Sequence, residues 1–395
     1  MRFYVLGSNP ALSLAEFFAV YPSATAVATS DTVLVTDEGG PEPKQAVNRL
    51  AGVVKSGSVS TTIPSLRGGS QADEAISREV ASSVAALLPR NDDGKRIEFG
   101  LSLYDGGNAS LFGTLKGEAN GIGMTVKRAL EAEGRKARVV TMKADALSSV
   151  AVTTQATSGD ICLIATKDGI LAGRTEAVQD FEAWSKRDFG RPSRDAKSGM
   201  LPPKLARLMV NLSGVQPEGS AILDPFCGSG TILMEAALMG SKAVIGSDIS
   251  KKAVADTGRN MEWMRHAFPD TKKVRVSVYE TPAEKVDAFV KETVDAIVTE
   301  TFLGPPLRRE ANAAAIRKSV NDLMRIVEPS LKAMAGVLKP DGKMVIAFPA
   351  FRVGRAFAKL PVEPVIKAIG FSIADRFLYE RPGQRVGRDI VVLTR

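Results

Sequence analysis

The chain has 395 residues, of which 44% are hydrophobic and 24% are charged. This composition supplies enough apolar side chains to bury real cores, which excludes a wholly disordered chain, and the length predicts two or three domains. Lys and Arg together outnumber Asp and Glu by 52 to 44, a net charge of +8. That excess fits a polyanionic partner, although many basic soluble proteins show the same balance.

The N-terminal half predicts short strands that alternate with helices. Its first apolar run is interrupted at residues 8–10 (Ser-Asn-Pro) before it resembles a signal peptide, and no later run is long enough to span a bilayer. A polar, turn-forming stretch at 89–95 predicts a domain boundary, and a basic amphipathic helix beyond it carries Lys127 and Arg128. We therefore expect a cytoplasmic protein without a membrane segment, with α/β domains over residues 1–90 and 91–182.

Residues 183–204 mark a change in composition. Charged, Gly and Pro residues dominate this stretch and few apolar side chains offer a core, which predicts a linker between domains. Its arginines could contact phosphates, although a run of charges is more often a solvated face. The candidate phosphate contacts of the whole chain are Arg187, Arg191, Lys127, Arg128 and Arg385.

The segment 205–395 predicts a regular alternation of strands and helices. Residues 221–224 and 243–248 are the first two predicted strands, each followed by a helix, which indicates an open, doubly wound, mostly parallel sheet. The last two apolar runs, 371–378 and 390–393, flank a Pro-Gly turn without an intervening helix. They therefore predict an antiparallel hairpin.

The strongest motif follows the first of these strands and reads Asp-Pro-Phe-Cys-Gly-Ser-Gly-Thr over residues 224–231. Gly228 and Gly230 allow a tight turn and close approach of a ligand. Thr231 is predicted to cap the next helix, whose free N–H groups favour an anion, while the Asp224 carboxylate suits a cationic amino group. The turn lacks the lysine of a P-loop and the third glycine of a dinucleotide motif, which leaves a dehydrogenase as a distant alternative.

Asp248 ends the second strand, about twenty residues beyond the glycines, where an acidic residue can bind a ribose diol. Its alternative role is to cap the following helix, which Ser250 could do equally well. An adenosine site beside a site for an amino acid indicates S-adenosylmethionine (S-adenosyl-L-methionine). A metal is not expected, since two distant cysteines and one histidine cannot supply a ligand set.

The motif at 224–231, with Glu235 four residues on, resembles the first motif of THUMP-associated RNA methyltransferases. Residues 187–192 and 203–214 resemble the segment that precedes it in archaeal tRNA guanine-N2 methyltransferases and their fungal relatives. The likeness covers most of residues 97–300 and the closing hairpin and is weak over 1–90. It implies a class I (Rossmann-like) S-adenosylmethionine methyltransferase domain over 205–395, behind a ferredoxin-like domain (1–90) and a THUMP RNA-binding domain (91–182).

The same resemblance implies the partners and the cofactor contacts. The substrate would be tRNA, methylated on the exocyclic N2 of a guanosine. No oligomeric state follows from the sequence, and a monomer is the default expectation. The implied cofactor contacts are Asp224, Phe226, Gly228, Gly230, Thr231, Asp248, Ile249, Glu280 and Met200.

The chain departs from the family where amino methyltransferases carry Asp/Asn-Pro-Pro-Tyr. Here Glu300 stands at the acidic position, Phe302 follows two residues later, and the proline pair comes only after Gly304. An exocyclic guanine amine is a poor nucleophile, so Glu300 would accept its hydrogen bond while Phe302 stacks on the base. The alternatives are a catalytically impaired RNA-binding protein with the cofactor fold, and a methyltransferase for an amine of rRNA or DNA.

Overall fold

The computed structural model describes residues 1–64, 70–89, 95–140, 144–194, 200–304 and 313–395. For residues 70–77 it describes the backbone but not the side chains. They form two compact units, unit 1 (Met1–Phe181) and unit 2 (Glu182–Arg395). Within the described ranges, no helix has the length and apolar character needed to cross a membrane.

Unit 1 contains one eight-stranded sheet and its helices. The strands are β1 (Arg2–Leu6), β2 (Ala26–Thr29), β3 (Val33–Thr36), β4 (Val53–Pro64), β5 (Ile97–Asp105), β6 (Ala137–Val140), β7 (Gly159–Thr166) and β8 (Gly169–Val178). The helices are α1 (Pro10–Val20), α2 (Pro43–Arg49), α3 (Ser70–Leu87), α4 (Ala109–Ala132) and α5 (Ser149–Thr154). The strand order is β2-β3-β1-β4-β8-β7-β5-β6, and only β5 runs parallel to its neighbours β6 and β7.

The segments 1–90 and 91–182, predicted as two domains, both contribute strands to this sheet. Strand β4 of the first segment pairs with β8 of the second from Lys55 opposite Val178 to Pro64 opposite Gly169. This pairing satisfies the backbone groups along the edge of β4, which a separate N-terminal domain would leave exposed. Part of the boundary predicted at 89–95 lies outside the described residues, and the ferredoxin-like and THUMP assignments stay predictions.

Unit 2 is built around a second sheet. Its strands are β9 (Ala221–Asp224), β10 (Ala243–Asp248), β11 (Arg275–Glu280), β12 (Val294–Glu300), β13 (Leu338–Val353), β14 (Ala356–Lys359), β15 (Ser372–Tyr379) and β16 (Val386–Thr394). Its helices are α6 (Phe181–Phe189), α7 (Pro203–Leu212), α8 (Thr231–Leu238), α9 (Lys251–Ala267), α10 (Val286–Phe289), α11 (Ala313–Val337) and α12 (Glu363–Ala368).

The strand order of unit 2 is β11-β10-β9-β12-β13-β16-β15, with β14 paired to β13. Strands β9 to β13 run parallel, and β16 lies antiparallel between β13 and β15. The structure thus confirms the predicted open, mostly parallel sheet and its closing antiparallel hairpin. The order reverses at β9, which has β10 on one side and β12 on the other. A crevice for ligands forms at such a reversal, beyond the carboxyl ends of the strands.

The elements at this reversal are buried on all sides. Ile297 and Val298 point to opposite faces of β12 and are both 0% exposed, as expected of a parallel strand covered on two faces. Helix α8 is buried from Thr231 to Ala237, so the residues that begin it are held by packing on every side. The crevice therefore rests on rigid elements.

The segment 183–204, predicted as a linker, is ordered structure where it is described. Helix α6 covers its first residues, Trp184 and Arg187 are buried, and α7 begins at Pro203. Arg187 is ion-paired with Glu235 inside unit 2, a partner that composition alone does not reveal. Residues 195–199 of the segment lie outside the described residues.

Candidate active site

The glycine turn joins β9 to α8 at the point where the strand order reverses. Gly228 and Gly230 have φ angles of +53° and +83°, in the left-handed region that favours glycine. Gly230 is the N-cap of α8 and has no side-chain cap. The prediction that Thr231 caps this helix is therefore wrong, because the left-handed residue at the cap position must be the glycine. Thr231 is the first helical residue, and its hydroxyl accepts a hydrogen bond from Nη1 of Arg191 at 2.6 Å.

The two glycines meet different surroundings. A Cβ built on Gly230 would lie 2.9 Å from Cγ2 of Thr257, so this glycine is also required by packing. A Cβ on Gly228 would meet no described atom within 4 Å, and Gly228 lines the pocket described below. The missing side chain of Gly228 therefore leaves room for a ligand against the backbone. The hydroxyl of Thr257 donates to the Gly228 carbonyl at 2.8 Å and holds the turn in place.

Asp224 ends β9 and is 2% exposed. Its Oδ1 accepts hydrogen bonds from the Thr299 hydroxyl at 2.6 Å and from the Phe226 amide at 3.2 Å. Burial raises the pKa of Asp224 from 3.8 to about 7; the two hydrogen bonds oppose this rise, and the charges of Asp248 and Glu300 add to it. A cationic ligand group beside Asp224 would favour its ionised form.

Asp248 supports the glycine turn from the end of β10. Its Oδ2 accepts from the Gly228 amide at 3.0 Å, and its Oδ1 accepts from the Ser250 amide at 2.8 Å. Ser250 is the N-cap of α9 and accepts from the Ala253 amide at 3.3 Å. The capping role that the sequence left open therefore belongs to Ser250, while ribose binding by Asp248 stays a prediction.

One pocket brings together many of the predicted site residues. Its lining includes the predicted residues Met200, Asp224, Phe226, Gly228, Thr231 and Glu300. It also includes Ser250, Lys252 and Asp256, which the sequence did not indicate as site residues. The available signal was their position: they begin the helix that follows Asp248, so they lie at the same edge of the sheet.

Other predicted residues lie near this edge without lining the pocket. Ile249 and Phe302 are 76% and 53% exposed. Glu280 ends β11 opposite Asp248 in the strand register, with an exposed side chain. Gly230 and Asp248 support the turn from outside the pocket lining. The roles predicted for all five residues stay predictions.

Glu300 lies at the carboxyl end of β12 and is ion-paired with Arg388. Nε of Arg388, on β16, donates to Oε1 of Glu300, and the side chains are 2% and 16% exposed for Arg388 and Glu300 respectively. Burial raises the pKa of Glu300, and the charge and hydrogen bond of Arg388 oppose the rise. Nothing in the sequence pattern pairs these residues, which are 88 positions apart and meet only because β16 inserts beside β13.

The described residues after Glu300 include a glycine with left-handed backbone. Gly304 has a φ angle of +85°, Thr301 is buried, and Phe302 between them projects into solvent. The displaced proline pair at 305–306 lies outside the described residues. β12 therefore ends on an acid, and an aromatic side chain and a left-handed glycine follow it.

The prediction that Arg187 and Arg191 contact phosphates is wrong, because both side chains are buried, at 6% and 3% exposure. Nε of Arg187 donates to Oε1 of Glu235 at 2.8 Å, and Nε of Arg207 donates to Oε2 of the same carboxylate at 3.0 Å. Both guanidinium groups also lie over the ring of Trp184, at 3.9 Å and 5.0 Å from its centroid. Arg187 and Arg207 therefore fasten α6 and α7 to α8.

The remaining basic candidates lie at the surface. Arg128 and Arg385 are exposed, and Lys127 is half-buried with its Nζ 3.6 Å from a carboxylate oxygen of Glu131. Lys127 lines a groove between α4 and β6 in unit 1. The other basic residues of this groove are Arg96, Arg135, Lys136 and Arg138.

Metal ligation has no support in the part of the chain that the structure describes. There, no group of three or more His, Cys, Asp or Glu side chains is placed to hold an ion. Cys162 and Cys227 are both buried and free.

Comparison with known proteins gives a family match within unit 2. A family model described as "UPF0020: RMKL-like, methyltransferase domain" matches residues 191–352. The tRNA (guanine(10)-N2)-dimethyltransferase of Methanothermobacter thermautotrophicus is 43% identical over 129 residues, which are 33% of this chain and 32% of that enzyme. The probable tRNA (guanine(10)-N2)-dimethyltransferase of Methanothermococcus thermolithotrophicus is 33% identical over 148 residues, 36% of this chain and 78% of that protein. The match thus spans about a third of the length of the Methanothermobacter enzyme.

Among solved structures, TrmN from Thermus thermophilus superimposes with a TM-score of 0.56 and 18% identity, over 100% of both chains. At this identity the likeness concerns the fold alone. Together with the strand order of unit 2 and the methyltransferase family match, it confirms the predicted class I methyltransferase fold.

Proposed function

Because this chain belongs to the tRNA guanine-N2 methyltransferase family, we propose that it transfers methyl groups from S-adenosylmethionine to the exocyclic N2 of a guanosine in tRNA. The observation that carries the proposal is the single pocket lined by the glycine turn, Asp224 and Glu300. A pocket with this lining would hold a cationic amino-acid group at Asp224, beside Glu300 as the acceptor for an amine.

The residues present fit this cofactor. The buried carboxylate of Asp224 suits the amino group of its methionine part, and the bare backbone of Gly228 leaves space beside it. Phe226 and Met200 add apolar surface to the lining, and Asp248 would receive the ribose. When bound, S-adenosylmethionine supplies an electrophilic methyl group on a sulfonium sulfur.

Glu300 is the residue that we assign to the amine. Its carboxylate would accept a hydrogen bond from N2 of guanine, which draws the nitrogen lone pair out of conjugation with the ring and orients it. The pair with Arg388 favours the ionised form of Glu300, since the guanidinium opposes the rise in pKa that burial causes. Positioning and fixed charge would then supply most of the rate. The exposed ring of Phe302 would stack on the target base.

The rest of the chain would bind the RNA. The net charge of +8 favours a polyanion, and the groove of unit 1 gathers five basic side chains, Lys127 among them. We assign RNA binding to this groove, to Arg128 and to Arg385. Within this proposal, residues 1–90 and 91–182 are the ferredoxin-like and THUMP parts, and the enzyme acts in the cytoplasm.

The test is methyl incorporation from radiolabelled S-adenosylmethionine into unmodified tRNA, followed by mass spectrometry of the nucleosides. We expect N2-methylguanosine from the wild type and a loss of about 100-fold or more in rate for Glu300→Gln, the scale of a lost catalytic contact. Glu292→Gln is the matched control, because Glu292 is an exposed residue just before β12. Methyl incorporation into rRNA or duplex DNA but not into tRNA would show that the proposed substrate is wrong. Cofactor binding without incorporation into any of them would show an impaired enzyme.

A further inference from the structure

A surface beside the pocket of unit 2 combines an exposed aromatic ring with exposed cations. Its residues are Phe189, Arg194, Lys252 and Arg259, which we call the basic strip. Phe189 ends α6 and is 62% exposed, although the guanidinium carbon of Arg194 lies 5.0 Å from the centroid of its ring. A single exposed phenylalanine needs no explanation, whereas a ring with a cation over it and further cations nearby offers a platform for a ligand.

The segment that carries Arg194 is fixed to the wall of the pocket. Asn260, a buried residue of α9, accepts a hydrogen bond from the Ser193 amide at 2.9 Å and donates to the Ser193 carbonyl at 2.9 Å. Its Nδ2 also donates to the carbonyl of Ser229 at 2.8 Å, and Ser229 lines the pocket. The backbone just before Arg194 is therefore one side chain away from the glycine turn.

Asp256 connects the other two cations of the basic strip to the same wall. Its side chain is 7% exposed, and it lines the pocket together with Lys252. Its Oδ2 accepts from Nζ of Lys252 at 2.6 Å, and its Oδ1 accepts from Nη2 of Arg259. Nε of Arg259 donates to the Ser193 hydroxyl at 3.0 Å. Lys252 and Arg259 are 75% and 56% exposed, so N–H groups of both remain accessible to a ligand.

The chemistry of this surface matches a nucleic-acid strand whose bases are not paired. Exposed cations attract phosphates, and the basic strip has three of them against the one carboxylate of Asp256. Phe189 offers a face on which a base of any identity can stack. The bases of a duplex are stacked on one another, so a duplex could use the cations but not the ring. The combination therefore favours a single strand.

We infer that the basic strip binds unpaired nucleotides of the RNA next to the target guanosine. A base stacks on Phe189, and phosphates contact Arg194, Arg259 and Lys252. The inference rests on the proposed function and deepens it, since it specifies the state of the RNA beside the pocket. Lys252 lines the same pocket as Glu300, so a strand held on the basic strip lies next to the site of transfer. A base must leave its stack to enter such a pocket, and unpaired neighbours lower that cost.

Two RNAs of the same sequence, a short single strand and its duplex, separate this role from a general attraction of charges. Fluorescence anisotropy of each labelled RNA with the full chain gives the two affinities. Phe189→Leu keeps an apolar side chain and removes the ring, so its affinity for the single strand should fall about 5- to 100-fold, the range for stacking of one base. Its affinity for the duplex should stay unchanged, and Phe189→Trp should bind the single strand as the wild type does.

The arginines of the basic strip are tested by salt. Arg194→Gln and Arg259→Gln should each reduce the slope of log affinity for the single strand against log salt concentration by about 0.7, the value for one phosphate contact. Arg325→Gln is the matched control, because Arg325 is an exposed arginine of α11 that pairs with the aspartate three residues before it, as Arg259 does. Phe181→Leu is the control for Phe189, since Phe181 is exposed at the other end of α6. Both controls should bind the two RNAs as the wild type does.

The contrary outcomes are distinct. An unchanged affinity of Phe189→Leu for the single strand would overturn the stacking contact, and so would equal losses for single strand and duplex. Unchanged salt slopes in both arginine variants would overturn the phosphate contacts, and these variants keep the inference testable if circular dichroism shows that a Phe189 variant is unfolded. A wild type that methylates tRNA, with variants that bind RNA equally well, overturns the inference alone. A wild type that binds no RNA contradicts the proposed function itself and the inference with it.

Discussion

The two glycines of the turn between β9 and α8 should fail in different ways when each is replaced by alanine. Both have positive φ angles, so either substitution strains the backbone. Only at Gly230 does the new methyl group meet a neighbour, Cγ2 of Thr257 at 2.9 Å. At Gly228 it meets no described atom within 4 Å and enters the pocket. Gly219 supplies the reference, because it has a φ angle of +89° and equally open surroundings outside the pocket.

The magnitudes follow from these contacts. Placing an L-residue in the left-handed region costs about 1–2 kcal/mol, which should be the whole effect of Gly219→Ala on the free energy of unfolding. Gly230→Ala adds an overlap with Thr257, and overpacking of this kind costs about 1–3 kcal/mol. We expect a total of about 2–5 kcal/mol. Gly228→Ala should match Gly219→Ala in stability and instead lose affinity for the cofactor.

Urea denaturation followed by circular dichroism would give the three changes in stability. Calorimetric titration with S-adenosylhomocysteine would give the affinity of each variant for this nucleoside. Gly219→Ala should bind the nucleoside as the wild type does, whereas Gly228→Ala should bind it at least about tenfold more weakly, a difference of about 1.4 kcal/mol. Equal affinities for these two variants would refute the conclusion that the bare backbone of Gly228 makes room for a ligand. Equal stabilities of Gly230→Ala and Gly219→Ala would refute the packing requirement.

Three further predictions concern charged residues. Replacing Arg388 with Met removes the cation that opposes the rise in the pKa of Glu300. The pH at which methyl transfer is half-maximal should therefore move upward. An unchanged pH–rate profile would argue against a role for the ion pair. Glu235→Ala leaves two buried arginines without their shared carboxylate, so urea denaturation should show a loss of about 3–5 kcal/mol in the free energy of unfolding. A loss under about 1 kcal/mol would mean that these ion pairs contribute no more than surface ion pairs do. The folded protein holds a proton on Asp224 more tightly than the unfolded chain does, because burial raises its pKa from 3.8 to about 7. The contribution of Asp224 to stability is thus complete below about pH 4 and is lost as the pH rises through 7. Over this range the unfolding free energy of the wild type should fall relative to that of Asp224→Asn. Parallel pH profiles of the two proteins would contradict this prediction.

The glycine turn could be predicted from the sequence because its chemistry is local. Gly228 and Gly230 stand within one strand–turn–helix segment, and their spacing already requires left-handed backbone and a close approach. Asp224 and Asp248 end adjacent parallel strands, so the rule for parallel sheets places them at the same edge. The sequence predicts the cap of α8 one residue too late, because Thr231 has the polar side chain typical of a cap and Gly230 does not.

The arginines show where such reasoning stops. Arg187 and Arg191 stand in a polar stretch that resembles a solvated linker, yet both are buried against α8. Their partners, Glu235 and Thr231, lie 48 and 40 positions away. A charge pattern along the chain does not distinguish a side chain that faces solvent from one that meets a distant carboxylate.

The sequence by itself determined the periodic strands of unit 2, the cofactor motif and the acidic residue that ends β12, since each depends on neighbours along the chain. Only the tertiary structure decided that Arg388 pairs with Glu300 and that the buried Arg191 donates to Thr231. It also decided that strands from both parts of the N-terminal half share one sheet. The physical reason is that burial and ion pairing depend on which elements pack together, and packing brings together residues that no local pattern connects.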